Sequence, residues 1–500
     1  MSRRPLRIAK RTRLLVFHVL TTAAVLAGCS GETQAEQYAM VQPLHLQGQP
    51  AFPGARGYGA MAKGGREGEI FFVDSLEDSG FGTLRECVEA KMPRVCIFRV
   101  SGTIRFNGRP PVIRNPYLTI AGQTAPGGGI TLAHSGGEFG FTPLLIKETH
   151  DIVVRHIRIR NDRVGTPNNR GGEDSITIEN SRKVIIDHVS ASWARDEIIN
   201  GFADNDNITI SDSIFAEGIP KHDKCALLAS DPVGPQRLSF IGNLCAHNGD
   251  RNPDMNFPPA SCVEIVNNVF YNAQSQFAEV WESYGGTPVS IVGNVFRAGP
   301  NTSDHTVGID REVIGSNGLA TIFAEGNRFD GQFVRQSAKV DEILADTPPC
   351  PLTLQPVSAD AAYEAVLDSA GAWPRDAFDE RVVRNVRKQT GHIKKTPGVI
   401  PPAAAGTPYV DTDMDGMADD WENTHGARVG AKDSWEDADS DGISNLDAFL
   451  AFLSDRLVSG RDMASMGASN HMISAIYAET NYPFRSAING HVSKGGKPKS

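Results

Sequence analysis

The 500-residue chain is poor in aromatic side chains, at 7%, and has only 7 cysteines, none in a CxxC pair and none grouped with histidines at zinc-binding spacing. A cysteine-ligated zinc site is thereby excluded. No lysine-and-serine ending follows the glycines at Gly54, Gly57, Gly59, Gly64 and Gly65, so a phosphate-cradling P-loop is not supported, and these glycines are expected to cap or start the fold. Basic charge is scarce too. With residues 1–29 set aside, 43 Lys and Arg face 59 Asp and Glu, a net charge of −16. So acidic a chain is a poor partner for nucleic acid.

What the chain has in quantity is turn formers, 50 Gly and 30 Pro, as befits a large globular chain rich in turns. Between residues 151 and 331 one short phrase recurs seven times: β-formers, a small polar residue, then two apolar residues. It is centred on His156, His188, Ser213, Asn243, Asn268, Asn294 and Asn327, at spacings of 32, 25, 30, 25, 26 and 33 residues. A constant rung with loops of varying length suits a right-handed parallel β-helix, an all-β fold in which each coil stacks about 4.8 Å from the last. A β-sandwich would show shorter strand spacing and hairpin turns. The repeated polar residue is expected to form an internal ladder that satisfies buried backbone at a bend.

Residues 1–29 hold six basic residues, no acidic ones, and an apolar run over 14–27 that ends Leu26, Ala27, Gly28, Cys29. This reads as an export signal, too short for a membrane span. Its ending is similar to a bacterial lipobox, so Cys29 is expected to carry lipid and to tie the protein to the outer membrane or cell surface, with secretion as the alternative. Residues 30–49 read as a flexible tether, 50–335 as the β-helix and 336–394 as a helical wrap. A linker follows over 395–410, then an acidic calcium-binding segment over 411–455 and a tail over 456–500. Six cysteines remain after Cys29. In an exported chain they favour disulfides, with Cys87 and Cys96, nine residues apart around a proline turn, as one pair.

Within the wrap, Ser358 can cap a helix running to Gly371, and a second helix is expected over 376–389. Beyond the linker, Asp411, Asp413, Asp415, Gly416, Met417, Asp419 and Glu422 occupy positions 1, 3, 5, 6, 7, 9 and 12 of an EF-hand calcium loop. Oxygen ligands at that spacing, with glycine at the sharp turn, suit a hard divalent ion. A second loop offers Asp437, Asp439, Asp441 and Asn445, but its twelfth position is Ala448, with Asp447 the nearest carboxylate, so it is the weaker of the two. Both read as structural sites for Ca2+.

Several separated runs now converge. They are residues 52–59, 82–85, 101–104 and 120–127 (Ile, Ala, Gly, Gln, Thr, Ala, Pro, Gly), then Ile186, Asp187, His188, Ser192, Trp193, Asp196 and Glu197. Together they resemble the bacterial pectate lyases, polysaccharide lyases built on a parallel β-helix. The resemblance implies cleavage of polygalacturonate, an acidic plant cell-wall polysaccharide, by β-elimination with calcium. Asp174 and Asp196 match calcium-binding aspartates, with Glu197 beside them. Lys224 resembles the lysine that grips the substrate carboxylate, with Lys221 as its alternative on the same loop. Arg251, in the run Asp250, Arg251, Asn252, Pro253, resembles the catalytic arginine that takes the C5 proton. A monomer is expected.

The residues support that placement independently. Asp196 lies eight residues after His188 and Arg251 eight after Asn243, which puts them on one face two coils apart, with Lys224 on the coil between. The C5 proton is poorly acidic while the neighbouring carboxylate is charged, so a site needs cations as well as a base. An arginine base runs against the general rule that guanidinium stays protonated. Two positions depart from the family pattern: Asn256 stands where a substrate-binding arginine is expected, and Ser192 where an acid is. Two rival readings are a polygalacturonase-type hydrolase, whose clustered aspartates and Gly-His-Gly run are not found, and a β-helix that binds acidic glycans without cleaving them.

Overall fold

The computed structural model describes residues 46–136, 140–163 and 172–460. The expected export signal, Cys29, most of the expected tether and the tail from residue 461 lie outside them. Among the described residues no helix is long and apolar enough to cross a membrane.

The described residues wind into a parallel β-helix of three sheets, one of ten strands and two of nine. Each coil contributes one strand to each sheet. In the first sheet the alternate residues Ile152, Val184, Ile208, Leu238, Val263, Val289 and Ile322 stand in register on successive strands. All are buried and form an aliphatic column along the interior. Phe270, Phe296 and Phe329 stack likewise, with centroids 5.1 and 4.9 Å apart. Each such side chain contributes on the order of 2 kcal/mol by leaving water.

The polar ladder is present from Ser213 onward. The backbone N–H groups of Ser213, Asn243, Asn268 and Asn294 donate to the Oδ1 atoms of Asn243, Asn268, Asn294 and Asn327, at 2.8–3.0 Å. At its early end the register differs from the sequence alignment by one residue. Val189, not His188, donates its N–H to Ser213 Oγ at 2.9 Å. His156 and His188 instead occupy the left-handed bend that precedes the ladder, with φ of 53° and 50°, where later coils have Asp212, Gly242 and Asn267. Their rings stack at 5.0 Å, and His188 Nδ1 lies 2.8 Å from Asp187 Oδ2. Bend and ladder residues are adjacent and either can be polar, so the sequence pattern alone does not separate the two positions.

The outer faces of the sheets are treated differently. On the first sheet, Val95, Ile97 and Ala121 lie under Met417, Trp421, Leu446 and Phe449 of the C-terminal segment. Val153 and Ile185 lie under Phe52, Ala55 and Ala60. The glycine-rich run that was expected to cap or start the β-helix runs across this sheet as a strap: Tyr58, Gly59, Lys63 and Gly65 donate to Ser239, Thr209, Asp151 and Thr119 in turn. Gly59 needs its missing side chain, since a Cβ there would stand 2.3 Å from the Val184 carbonyl oxygen.

The second sheet's outer row, including Ile214, Leu244, Val269 and Val295, is covered by the helices Ala359–Ser369 and Ala377–Lys388, capped by Ser358 and Asp376. Buried Arg160 fastens the latter helix by pairing with Asp379 at 2.9 Å. On the third sheet the outward positions are Lys147, Thr177, Glu179, Asn200 and Leu227, each part-exposed. Among the described residues no apolar cluster covers this face, so it is the one open to a polar ligand.

The expected bond between Cys87 and Cys96 is present. Cys225–Cys245 and Cys262–Cys350 are also paired, which spacing alone had left open.

Candidate active site

The open third sheet brings together residues far apart in the sequence. Glu197 starts the strand Glu197–Phe202 and pairs in register with Lys224, which starts Lys224–Ser230; Lys224 in turn bridges to Asp250 on the following coil. Because of the one-residue register difference, Glu197 rather than Asp196 shares the rung with Lys224.

Asp174, Asp196 and Glu197 form one carboxylate cluster, with an oxygen from each within 4.8 Å of the others. The local chain holds them there. Arg195 and Asp196 donate their N–H groups to the Glu173 carbonyl at 3.1 and 3.2 Å, pinning the loop. Asp174 accepts from Thr177 Oγ1 at 2.6 Å, from Asn200 Nδ2 at 3.2 Å and from the Glu197 N–H at 3.3 Å. His222 Nδ1 lies 2.7 Å from Asp196 Oδ1. Burial, opposed in part by the Thr177 hydrogen bond, pushes the Asp174 carboxyl up to about 7. Burial and the charges of Asp196 and Asp174 push Glu197 up to about 8. Gathered carboxylates that resist ionisation ask for a cation.

The cationic half lies one and two coils along. Lys224 pairs with Asp250. Arg251, with φ of 51°, extends its guanidinium to Glu197 and, at 3.3 Å, to Asp254 Oδ2, while its N–H donates to Glu279 Oε1 at 3.2 Å. Burial alone would lower the Arg251 pKa, but Asp254, Glu197 and Glu279 outweigh it and hold the group above its ordinary value. Glu279 is itself raised to about 7 by burial and by Asp250. Buried Asp254 is raised well above the carboxylate range, first by burial and then by Glu279.

Of the two lysines, Lys224 enters the site and Lys221 is exposed on the loop beside it. Ser192 is buried in the strand Ser190–Ser192 of the second sheet, and Glu197 is the third acid of the cluster. Asn256 accepts from Ser283 Oγ at 3.0 Å and brings no positive charge. Glu173 pairs with Arg163. Sequence reasoning missed His222, Asn200, Asp254 and Glu279. Of these only Asp254, three residues after Arg251, carried a signal in the spacing.

At the C-terminus, Asp411, Asp413 and Asp415 come together, as do Asp437, Asp439 and Asp441. Met417 is buried against the first sheet. Asp419 turns back, both its oxygens taken by Thr412 N–H and Oγ1 at 2.8 and 2.6 Å. Asn445 Oδ1 likewise accepts from the Ala438 N–H, at 3.0 Å. Asp447 pairs with Arg66 at 2.6 Å. A further carboxylate, Asp433, joins Asp415 and Glu422.

No protein-family model matches the chain. It is 33% identical over 413 residues to "Probable pectate lyase C" of Aspergillus flavus, covering 80% of this chain and 93% of that one. It is also 33% identical over 402 residues to the protein of the same name from Aspergillus fumigatus, covering 77% and 89%. Among solved structures, the thermostable pectate lyase PL 47 aligns over 64% of this chain and 97% of its own at 17% identity, with a TM-score of 0.47. The two fungal relatives decide the matter: the chain belongs to the pectate lyase family and is a polysaccharide lyase.

Proposed function

We propose that the enzyme is a calcium-dependent pectate lyase that cleaves polygalacturonate by β-elimination, leaving unsaturated oligogalacturonates. The observation that carries this reading is the carboxylate cluster of Asp174, Asp196 and Glu197 on the sheet that no apolar cluster of the described residues covers, with Lys224 and Arg251 on the next two coils. The donor set fits calcium, a hard ion that takes 6–8 oxygen ligands. Asn200 Oδ1, buried and with no hydrogen-bond partner, adds a neutral oxygen beside Asp174. When bound there, calcium would neutralise the uronate carboxylate and so make the C5 proton more acidic.

The remaining work falls to the chain. Lys224 places a positive charge where a uronate carboxylate, displacing Asp250, would be held. Arg251 takes the C5 proton; the electrons of that C–H bond form the C4–C5 double bond, and the C4–O bond breaks with the oxygen leaving for protonation by solvent. For this the guanidine must be neutral, which requires Glu197 and Asp254 to be engaged elsewhere than on it. The test is absorbance increase of the unsaturated product on polygalacturonate, with calcium and with chelator. A rise that needs calcium supports the reading, and polysaccharide left uncleaved in both conditions would defeat it.

Export and anchoring through Cys29 belong to the same proposal, motivated by the run Leu26, Ala27, Gly28, Cys29. Wild-type protein in the membrane fraction and Cys29→Ser protein outside it is the expected outcome; equal partition of the two would sink the anchor. The C-terminal loop over 411–422 is proposed as a second place for calcium, structural rather than catalytic.

A further inference from the structure

The two C-terminal loops share four hydrogen bonds position for position. In the first, Asp411 accepts from the N–H groups of Asp415 and Gly416, Asp415 from that of Met417, and Asp419 from that of Thr412. In the second, 26 residues on, Asp437 accepts from Asp441 and Gly442, Asp441 from Ile443, and Asn445 from Ala438. Gly416 and Gly442 share φ values of 93° and 92°. Their surroundings differ. Asp437, Asp439 and Asp441 are exposed, the twelfth position is Ala448, and Asp447 is committed to Arg66.

Around the first loop the side chains point to a ligand. Glu422 is 0% exposed, yet neither of its carboxylate oxygens has a hydrogen-bond partner. Both oxygens of Asp413 and Oδ1 of Asp433 are likewise buried and unpartnered. Asp433 comes from outside the loop, eleven residues after Glu422. Its Oδ2 is held by Arg428, through Nε at 3.1 Å and the backbone N–H at 3.0 Å, and its own N–H donates to Asp415 Oδ2 at 3.2 Å. Oxygens of Asp415, Glu422 and Asp433 lie within 4.8 Å of one another. A buried carboxylate left without a partner is costly unless an ion takes the place of water.

Resting on the reading of this loop as a calcium site, we propose that Asp411, Asp413, Asp415 and Glu422, with Asp433 in place of Asp419, bind one divalent oxygen-seeking cation that clamps the C-terminal segment to the first strands of the β-helix. The second loop is not an equal partner. The clamp follows from position. Met417 and Trp421 pack on Val95 and Ile97 of the first sheet, and Trp435 Nε1 donates to the Gly68 carbonyl at 3.0 Å. Asp433 and Ser434 both tie the segment that carries Trp435 back to Asp415, so the ion would fix the stretch between the loops as well as the first loop itself.

The test uses the full chain carrying Asp196→Asn, which weakens the active-site cluster and separates the two ion sites. Terbium stands in for calcium, and its luminescence is sensitised by Trp421, next to Glu422 in sequence. We expect luminescence that calcium competes away, and a Tm that rises by roughly 2–5 °C with saturating calcium. Adding Glu422→Gln or Asp433→Asn should weaken terbium binding by tenfold or more and abolish the Tm rise, whereas Asp419→Asn and Asp441→Asn should change binding less than twofold. If Glu422→Gln does not fold, Asp413→Asn gives the same reading, because that carboxylate makes no hydrogen bond in the protein. Absence of competable luminescence in the Asp196→Asn chain would overturn the site. Binding unchanged by Asp433→Asn, or lost with Asp419→Asn, would overturn its ligand set. Lyase activity is read separately in the wild type, so its absence would leave these outcomes intact.

Discussion

Arg251 and Glu197 sit two coils apart on the open sheet, and their side chains meet in an ion pair across the rung that carries Lys224. The same Glu197 belongs to the carboxylate cluster with Asp174 and Asp196. One carboxylate thus faces both the candidate base and the candidate ion, so occupancy of the ion site and the charge state of Arg251 are linked. With Glu197 drawn to an ion, the guanidinium loses one of the charges that holds it protonated.

Arg251→Ala is therefore expected to lower kcat by about 10²–10⁴-fold, the usual range for removing a positioned base. Arg251→Lys should recover little, because a lysine does not reproduce the forked contact to Glu197 and Asp254. Product absorbance gives the rates. Calcium binding by the same variants, measured by titration calorimetry, should persist; a variant as active as wild type would remove Arg251 from the mechanism.

The carboxylates make a different prediction. Asp196→Asn and Glu197→Gln should raise the calcium concentration needed for half-maximal activity by at least tenfold, each removing one ligand charge. His222→Ala takes away the ring that orients Asp196 at 2.7 Å and should shift the same midpoint by about 10-fold. Calcium titrations of activity for the three variants measure this. An unchanged midpoint for Glu197→Gln would place the ion elsewhere.

The ladder can be tested by stability alone. Asn268 accepts from the Asn243 backbone and side chain, and donates to the Phe240 carbonyl and to Asn294, all fully buried. Asn268→Ala strands those groups and should cost about 2–4 kcal/mol, since each unsatisfied buried group costs about 1–3 kcal/mol. A urea midpoint within error of wild type would show that the ladder contributes nothing net.

That ladder was the most legible part of the sequence, because a repeated Asn followed by two apolar residues has one reading in a coil that must satisfy backbone at every bend. The helix cap at Ser358 was legible for a similar local reason, and the second helix was read without its Asp376 cap. His188 was placed one position out since the bend position, which it occupies, and the ladder position after it can each carry a polar residue. The strap over residues 57–65 could not be read, because Gly57 and Gly59 answer to atoms more than a hundred residues away, such as Thr209 and Ser239. In the site, Asp174, Asp196, Lys224 and Arg251 came from motif resemblance supported by offsets. Glu279 and Asn200 lie on strands where an outward polar residue looks ordinary, and Asp433 lies beyond any loop spacing. The first two become visible only when coils are stacked, and Asp433 only when its segment folds back on Asp415.

Acid sensitivity should come in part from two histidines outside the site. His134 and His247 are both fully buried. Burial lowers His134 to about 4, with the Asp162 charge opposing it, and lowers His247 to about 3, assisted by Arg381 and Lys394. Both folded values lie below that of an unfolded histidine, near 6.5. Between those limits the unfolded chain binds more protons than the folded one. Their contribution is therefore fully present above about pH 6.5 and is lost as the pH falls toward 4, by roughly 3 kcal/mol for each at pH 4. Urea midpoints measured from pH 8 to pH 4 should fall for the wild type. They should fall less steeply for His247→Gln, whose amide keeps hydrogen-bonding capacity beside Asn272 without a titrating proton. A wild type and variant that lose stability in parallel would remove His247 as a source of the acid response, leaving His134 and the buried ion pairs to account for it.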